Sequence, residues 1–134
     1  MDNRRQTYRH LFMKAEKAGV EMTALEERTT LRGELIDLSI DGLRVRIDGP
    51  TTIEVGTRLT IQEIRRRLPP AHLLLGFVSQ VKYLVEEGRH VCLGIEFLRQ
   101  GLQELNSLQE SKLRRFLVEE QRRMLRYRLA VQDE

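Results

Sequence analysis

Apolar and polar residues alternate along most of the chain up to residue 98. The clearest case is 42–47, where Leu43, Val45 and Ile47 alternate with Arg44 and Arg46, the period-2 pattern of a strand buried on one face. Residues 29–38 precede it with Leu35, Ile36 and Leu38, and the run Asp37-Leu38-Ser39-Ile40-Asp41-Gly42 reads as a tight polar turn between two strands. Gly42 takes positive φ at little cost, which suits a chain reversal. Further strands are predicted at 20–25, at 57–64 with Leu59, Ile61 and Ile64 inward, at 73–85 and at 89–98. Asp48-Gly49-Pro50, Glu86-Glu87-Gly88 and Leu68-Pro69-Pro70 supply turns between them. Gly76 marks a bend or bulge in the long strand 73–85. About six short strands without long intervening helices predict a mainly β fold: a small six-stranded antiparallel β-barrel.

The pattern then changes period. Ser107 and Glu110 have the spacing of a capping box. No Gly or Pro follows Leu108, so a C-terminal α-helix of about 20 residues or more is predicted. Leu113, Leu117, Glu120, Met124, Tyr127 and Val131 step by four and three, a seam interrupted by one acid. Either the helix lies on its own barrel as an amphipathic helix, or its projecting part self-associates and makes a homo-oligomer. The chain divides into a flexible arginine arm and short insert at 1–19, a barrel at 20–105, and the helix at 106–134. Within the insert, Leu11, Phe12, Ala15 and Ala18 fall at helical spacing, so it is read as a short helix or an extra strand.

A chain of 134 residues, 40% apolar and 32% charged, is one globular domain with a single core. It has no apolar run of membrane-spanning length and no apolar stretch behind its polar first residues, so a cytoplasmic location is expected. The lone Cys92 reads as an unreactive, core-facing strand residue. His10, His72 and His90 lack metal-ligand spacing, there is no glycine-rich phosphate loop, and no base accompanies Cys92. Neither an enzyme nor a cofactor or metal protein is expected. Net charge is only +3 and aromatics are 5%, which argues against a general nucleic-acid binder.

Two stretches carry candidate chemistry. Asp37 and Ser39 are two residues apart, so in an extended chain they share a face beside Gly42. They form either a polar notch for a ligand or a turn whose side chains bond their own backbone. Arg4, Arg5 and Arg9 lie near the N-terminus. Guanidinium suits phosphate oxygens and the Hoogsteen edge of guanine, although a solvated basic tail has the same composition. Arg65, Arg66 and Arg67 run into a proline loop and read as a solvated strand end or an accessory phosphate contact.

Taken together, Arg5-x-x-x-Arg9 and the downstream Asp37-x-Ser39-x-x-Gly42 resemble the paired signature of the PilZ domain, the bacterial receptor module for cyclic di-GMP. Leu93-Gly94-Ile95-Glu96-Phe97 is similar to that family's last strand. The resemblance covers roughly residues 4–117 and implies a PilZ-like barrel. It implies that Arg5 and Arg9 grip the ligand's phosphates and guanines, that Asp37 and Ser39 contact a guanine and its neighbouring phosphate, and that Gly42 permits close backbone approach. It also implies that Arg4, just before the motif, bears on whether one ligand or a stacked pair binds. The insert at 10–19 is longer than the family pattern.

The reading this implies is a cyclic di-GMP receptor whose arm orders over the barrel and presents a surface to a downstream protein that controls motility, pili or exopolysaccharide. The alternatives are a PilZ-like adaptor working by protein contact alone, and a nucleic-acid-binding barrel using residues 65–67 and the basic helix.

Overall fold

The computed structural model describes residues 8–99 and 105–132. The alternating stretches become β2 (Gly19–Ala24), β3 (Thr30–Ser39), β4 (Gly42–Asp48), β5 (Arg58–Arg66), β6 (Ala71–Glu87) and β7 (His90–Phe97). They close antiparallel in the order β2–β3–β4–β7–β6–β5 and back to β2, a six-stranded barrel. The insert resolves into a seventh strand, β1 (Arg9–Leu11), and a 3-10 turn, Lys14–Glu16. β1 lies outside the barrel. It pairs with residues 37–39 of β3, on the edge that β2 occupies over 30–34.

The core is filled by the inward set of each strand. Met22, Leu35, Leu38, Leu43, Val45, Leu59, Ile61, Ile64, Phe77 and Leu93 are fully buried, and Phe77 meets Phe97 edge to face at 4.9 Å. Bulges in β3 and β6 matter for function. Leu35 pairs with Val45 while Asp37 pairs with Arg44, so β3 carries one extra residue at Ile36. The extra residue resets the alternation: Leu35 and Leu38 both join the core, and Asp37 turns to the outer face beside Arg44. The second bulge falls where Gly76 suggested it. Ile61 pairs with Phe77 but Glu63 with Leu74, leaving an extra residue at 75–76 of β6.

Helix α1 (Ser107–Gln132) packs on β6 and β1 through Leu113 and Leu117. Its N-cap is not the capping box expected at Ser107 and Glu110. Asn106 Oδ1 accepts from the Gln109 N–H at 2.9 Å, and Glu110 is taken by Arg99 and Arg114. Asparagine is as good a cap as serine. Gln109 donates to the carbonyl of Gly76 at 3.2 Å, tying the first turn to the bulge. Glu120, the expected polar break of the seam, is 2% exposed and ion-paired, whereas Tyr127 is exposed. Cys92 is buried but does not face the core: Val91 and Leu93 do, and its thiol lies on the other side of β7, near Arg44, Arg46 and Glu87. Burial raises its pKa, which keeps it an unreactive thiol. Among the described residues no helix is long and apolar enough to cross a membrane.

Candidate functional site

The bulge at Ile36 and the short strand β1 together build the site. β1 places Arg9 opposite Ser39 and Leu11 opposite Asp37, while β4 places Arg44 opposite Asp37 on the other edge. Asp37, fully buried, therefore has a guanidinium on each side. Arg9 Nη1 donates to Oδ1 at 2.5 Å, and Arg44 Nε donates to Oδ2. The carboxylate can be buried because both of its oxygens are paired with charged donors. The Asp37 hydrogen bond raises the pKa of Arg44 still further above its ordinary value. The two guanidiniums remain 47% and 39% exposed, so each keeps N–H groups for a ligand.

Ser39 serves the turn. Its Oγ accepts from the Asp41 N–H at 3.2 Å and donates to the Gly42 carbonyl at 3.4 Å. This is the self-bonded arrangement weighed as the alternative to a ligand notch. Gly42 is needed for a reason different from the one expected. Its φ is not positive; a Cβ there would lie 2.1 Å from the carbonyl oxygen of Ile95 on β7. The glycine lets β4 and β7 close against each other at the floor of the site.

These residues border an open groove of about 740 Å³. Arg9, Ser39, Gly42 and Arg44 form one wall; Arg58, Lys82, Tyr83, Gly94 and Arg99 line the rest. Three of the four motif residues in the described region thus line one groove, with Asp37 beneath it. Arg4 and Arg5 lie outside the described residues.

Several groove residues escaped the sequence reading. In the sequence Arg44 shows only as the polar half of a strand pattern, although that pattern does place it on the outer face with Asp37. Lys82 is the extra residue of a third bulge, since Val81 pairs with Ile95 and Tyr83 with Gly94. The bulge lays the Tyr83 ring over Gly94, where a Cβ would lie 2.0 Å from the ring. Tyr83 is 42% exposed. Arg99 had no signal at all. It donates to the Ile40 carbonyl at 2.6 Å and to Glu110 at 2.8 Å, and lies 3.2 Å from Asp41 Oδ1. It thereby clamps the motif turn to the start of α1, and its hydrogen bond lowers the pKa of Glu110.

The arginines at 65–67 are divided. Arg66 is buried and paired with Glu120, so it is neither a solvated strand end nor a phosphate contact. Arg65 pairs with Glu63 at 2.8 Å at the surface. Among the described residues no group of three His, Cys, Asp or Glu side chains is placed to hold a metal.

Comparison with known proteins agrees with this architecture. Two solved structures from Escherichia coli superpose on it. One is the PilZ domain of YcgR with c-di-GMP (TM-score 0.63, 21% identity, 90% of this chain and 94% of that one). The other is YcgR in complex with c-di-GMP (TM-score 0.69, 21% identity, 96% of this chain and 50% of that one). A third is the Bacillus subtilis inhibitor of motility MotI/DgrA (TM-score 0.56, 17% identity, 92% and 52%). The chain spans about half the length of the last two. At these identities the likeness is one of fold. A search of curated protein sequences finds no match. The family model of the PilZ domain matches residues 3–119, and the chain belongs to the PilZ domain family.

Proposed function

We propose that this chain is a receptor for cyclic di-GMP, binding it in the groove over Asp37, Ser39 and Gly42. The observation that carries the reading is the pairing of buried Asp37 with Arg9 and Arg44 at the rim of a cationic groove. It brings residues 28 positions apart in the chain to one place. A bis-phosphate ligand matches their surplus of guanidinium donors, and planar guanines match guanidinium and Tyr83 as stacking surfaces. The c-di-GMP bound to the structurally similar YcgR domain supports the same choice.

The pairing also gives the arm a mechanism. Arg9 is held in β1, so Arg5 is tethered at most about 14 Å away, four residues of extended chain. Arg4 and Arg5 close over the groove from that pivot. Ordering the arm costs about 1–2 kcal/mol per residue fixed, so their phosphate contacts must form together. Asp37 is fully buried under Arg9, so a guanine edge reaches it only when Arg9 swings from carboxylate to phosphate. The closed arm and ligand form the surface that a downstream protein recognises; control of motility, pili or exopolysaccharide is the output the family resemblance implies. No described feature favours the nucleic-acid reading, since Arg66 is buried.

Calorimetric titration of cyclic di-GMP into the wild type and into Arg5→Ala tests this. Saturable binding that falls at least tenfold in the variant is expected, and the fitted stoichiometry tells whether Arg4 admits a second ligand. A folded wild type that binds nothing would leave the adaptor reading in its place.

A further inference from the structure

β1 has one buried side chain, His10, which points away from the groove that Arg9 faces. Its ring packs edge-on against Phe12 at 4.5 Å, and Tyr8 Oη lies 2.9 Å from Nδ1. Nε2 lies 3.3 Å from Glu120 Oε2, on the fourth turn of α1. Glu120 is the centre of a buried ionic cluster drawn from three distant parts of the chain. Arg66, at the end of β5, pairs with its Oε1. Arg123, one turn on along α1, donates to Oε2 at 2.8 Å and to Glu16 Oε1 at 2.8 Å. The turn bearing Glu16 is tied in by its carbonyl, which accepts from the N–H groups of Arg67 and Leu68 at 3.0 and 3.1 Å. Two carboxylates face two guanidiniums, and the cluster is neutral as it stands.

Its position gives it a consequence for the groove. A three-residue strand paired along one edge contributes few hydrogen bonds and little area, and such segments open locally at low cost. Beyond its pairing with β3, β1 is held by the buried His10 ring, which packs against Phe12 and lies close to Glu120, and by the turn that Glu16 anchors. The part of α1 around Glu120 and Arg123 therefore also seats β1, and with it Arg9 at the groove.

We infer that Glu120, with Arg66, Arg123 and Glu16, is a positioning centre for the ligand site: it fastens β1 to α1, so that occupation of the groove and docking of the helix favour each other. The inference rests on the cyclic di-GMP reading for its ligand but not for the fastening itself. By linkage, a ligand that needs Arg9 in place strengthens the helix seat by the same factor by which the seat strengthens binding. α1 is then the element through which the groove is read by a partner.

The test compares wild type, Glu120→Gln and Leu113→Ala. The last loosens the same helix two turns away without touching the cluster. Hydrogen exchange is followed at the Phe12 amide, which donates to Ile36 O at 3.0 Å and reports β1, and at Val45 in the barrel. Glu120→Gln is expected to speed Phe12 exchange at least tenfold relative to Val45 and to weaken cyclic di-GMP binding at least tenfold. Leu113→Ala is expected to move both amides together. Saturating ligand is expected to slow exchange in α1 of the wild type. If Phe12 in Glu120→Gln keeps step with Val45, or affinity is unchanged in a wild type that binds, the coupling is wrong. A wild type that binds no cyclic di-GMP sinks the receptor reading, and Phe12 exchange then decides the fastening alone. Should Glu120→Gln fail to fold, Arg123→Gln removes the least buried member of the cluster and is held to the same outcomes.

Discussion

Arg9 and His10 are neighbours in one short strand, yet their side chains enter two charged clusters of opposite design. On the groove side, one fully buried carboxylate serves two guanidiniums that are 47% and 39% exposed, with Arg58 and Lys82 nearby. Positive charge is in surplus there and faces water. On the helix side, Glu16 and Glu120 face Arg66 and Arg123, and no member is more than 21% exposed. Charge is balanced there and closed off. The two clusters use the same residue types. What separates a binding surface from a structural joint is the balance of charge and the access of solvent, because an exposed surplus presents donors to a ligand while a buried balanced set is closed off from one.

The largest expected effect lies in the closed cluster. Glu120→Ala leaves two buried guanidiniums sharing one carboxylate, and breaking a buried ion pair in this way costs about 3–5 kcal/mol. Urea denaturation measures it. Replacing Glu120 and Arg66 together by methionine restores balance and is expected to cost much less than Glu120→Ala. A single variant that loses under about 1 kcal/mol would remove the distinction between the clusters.

Acid probes the same region with a smaller effect. Burial lowers the pKa of His10 from 6.5 to about 4; Glu16 opposes the shift, and Arg123 and Arg66 reinforce it. The unfolded chain therefore takes up a proton below about pH 6.5 that the folded chain refuses until about pH 4. This contribution to stability is whole above 6.5 and is lost as pH falls toward 4, by on the order of 2–3 kcal/mol. The groups facing the ring are Tyr8, Glu16, Arg66, Glu120 and Arg123. Because carboxylates elsewhere also titrate, the measurement is the difference between wild type and His10→Gln at pH 7 and pH 4.5. A constant difference would show that the folded and unfolded chains take up the His10 proton equally well, so that burial does not lower its pKa.

Gly42→Ala comes next and bears on the groove floor. Its Cβ would meet backbone, the Ile95 carbonyl, so the two strands must part. Overpacking of this kind costs about 1–3 kcal/mol, and thermal unfolding should register it. A neutral result would mean that β4 and β7 are not in close register there. This residue also marks the limit of sequence reading. That position 42 is glycine was legible, but the cause lies 53 positions away on another strand. The six barrel strands were legible because half-buried strands write their alternation into the sequence. β1 is not legible in the sequence because three residues carry no period. The bulge at Ile36 was written only as a break of parity, with Leu35 and Leu38 both apolar. Glu120 stands on the buried seam of α1 at the correct spacing, but apart from Arg123 its partners come from residues 10 and 66, and a one-dimensional pattern does not name partners.

The smallest effect on stability is expected from Arg9→Ala, and it separates the two clusters most cleanly. The Arg9–Asp37 pair is half exposed on the arginine side, and such pairs contribute about 0–1 kcal/mol. Asp37 retains Arg44 on Oδ2, and truncating the half-exposed Arg9 opens Oδ1 to the water of the groove, so removal of Arg9 does not strand a buried charge. Urea denaturation should therefore place the variant within about 1 kcal/mol of the wild type, while titration with cyclic di-GMP shows binding weakened at least tenfold, a cost of about 1.4 kcal/mol or more. Stability nearly intact and affinity lost is the signature of an arginine kept for a ligand. The reverse result, a large loss of stability with affinity scaled to the remaining folded fraction, would make the groove cluster a structural joint like the one behind it. The site would then have to be sought among Arg58, Lys82 and Tyr83 elsewhere in the groove.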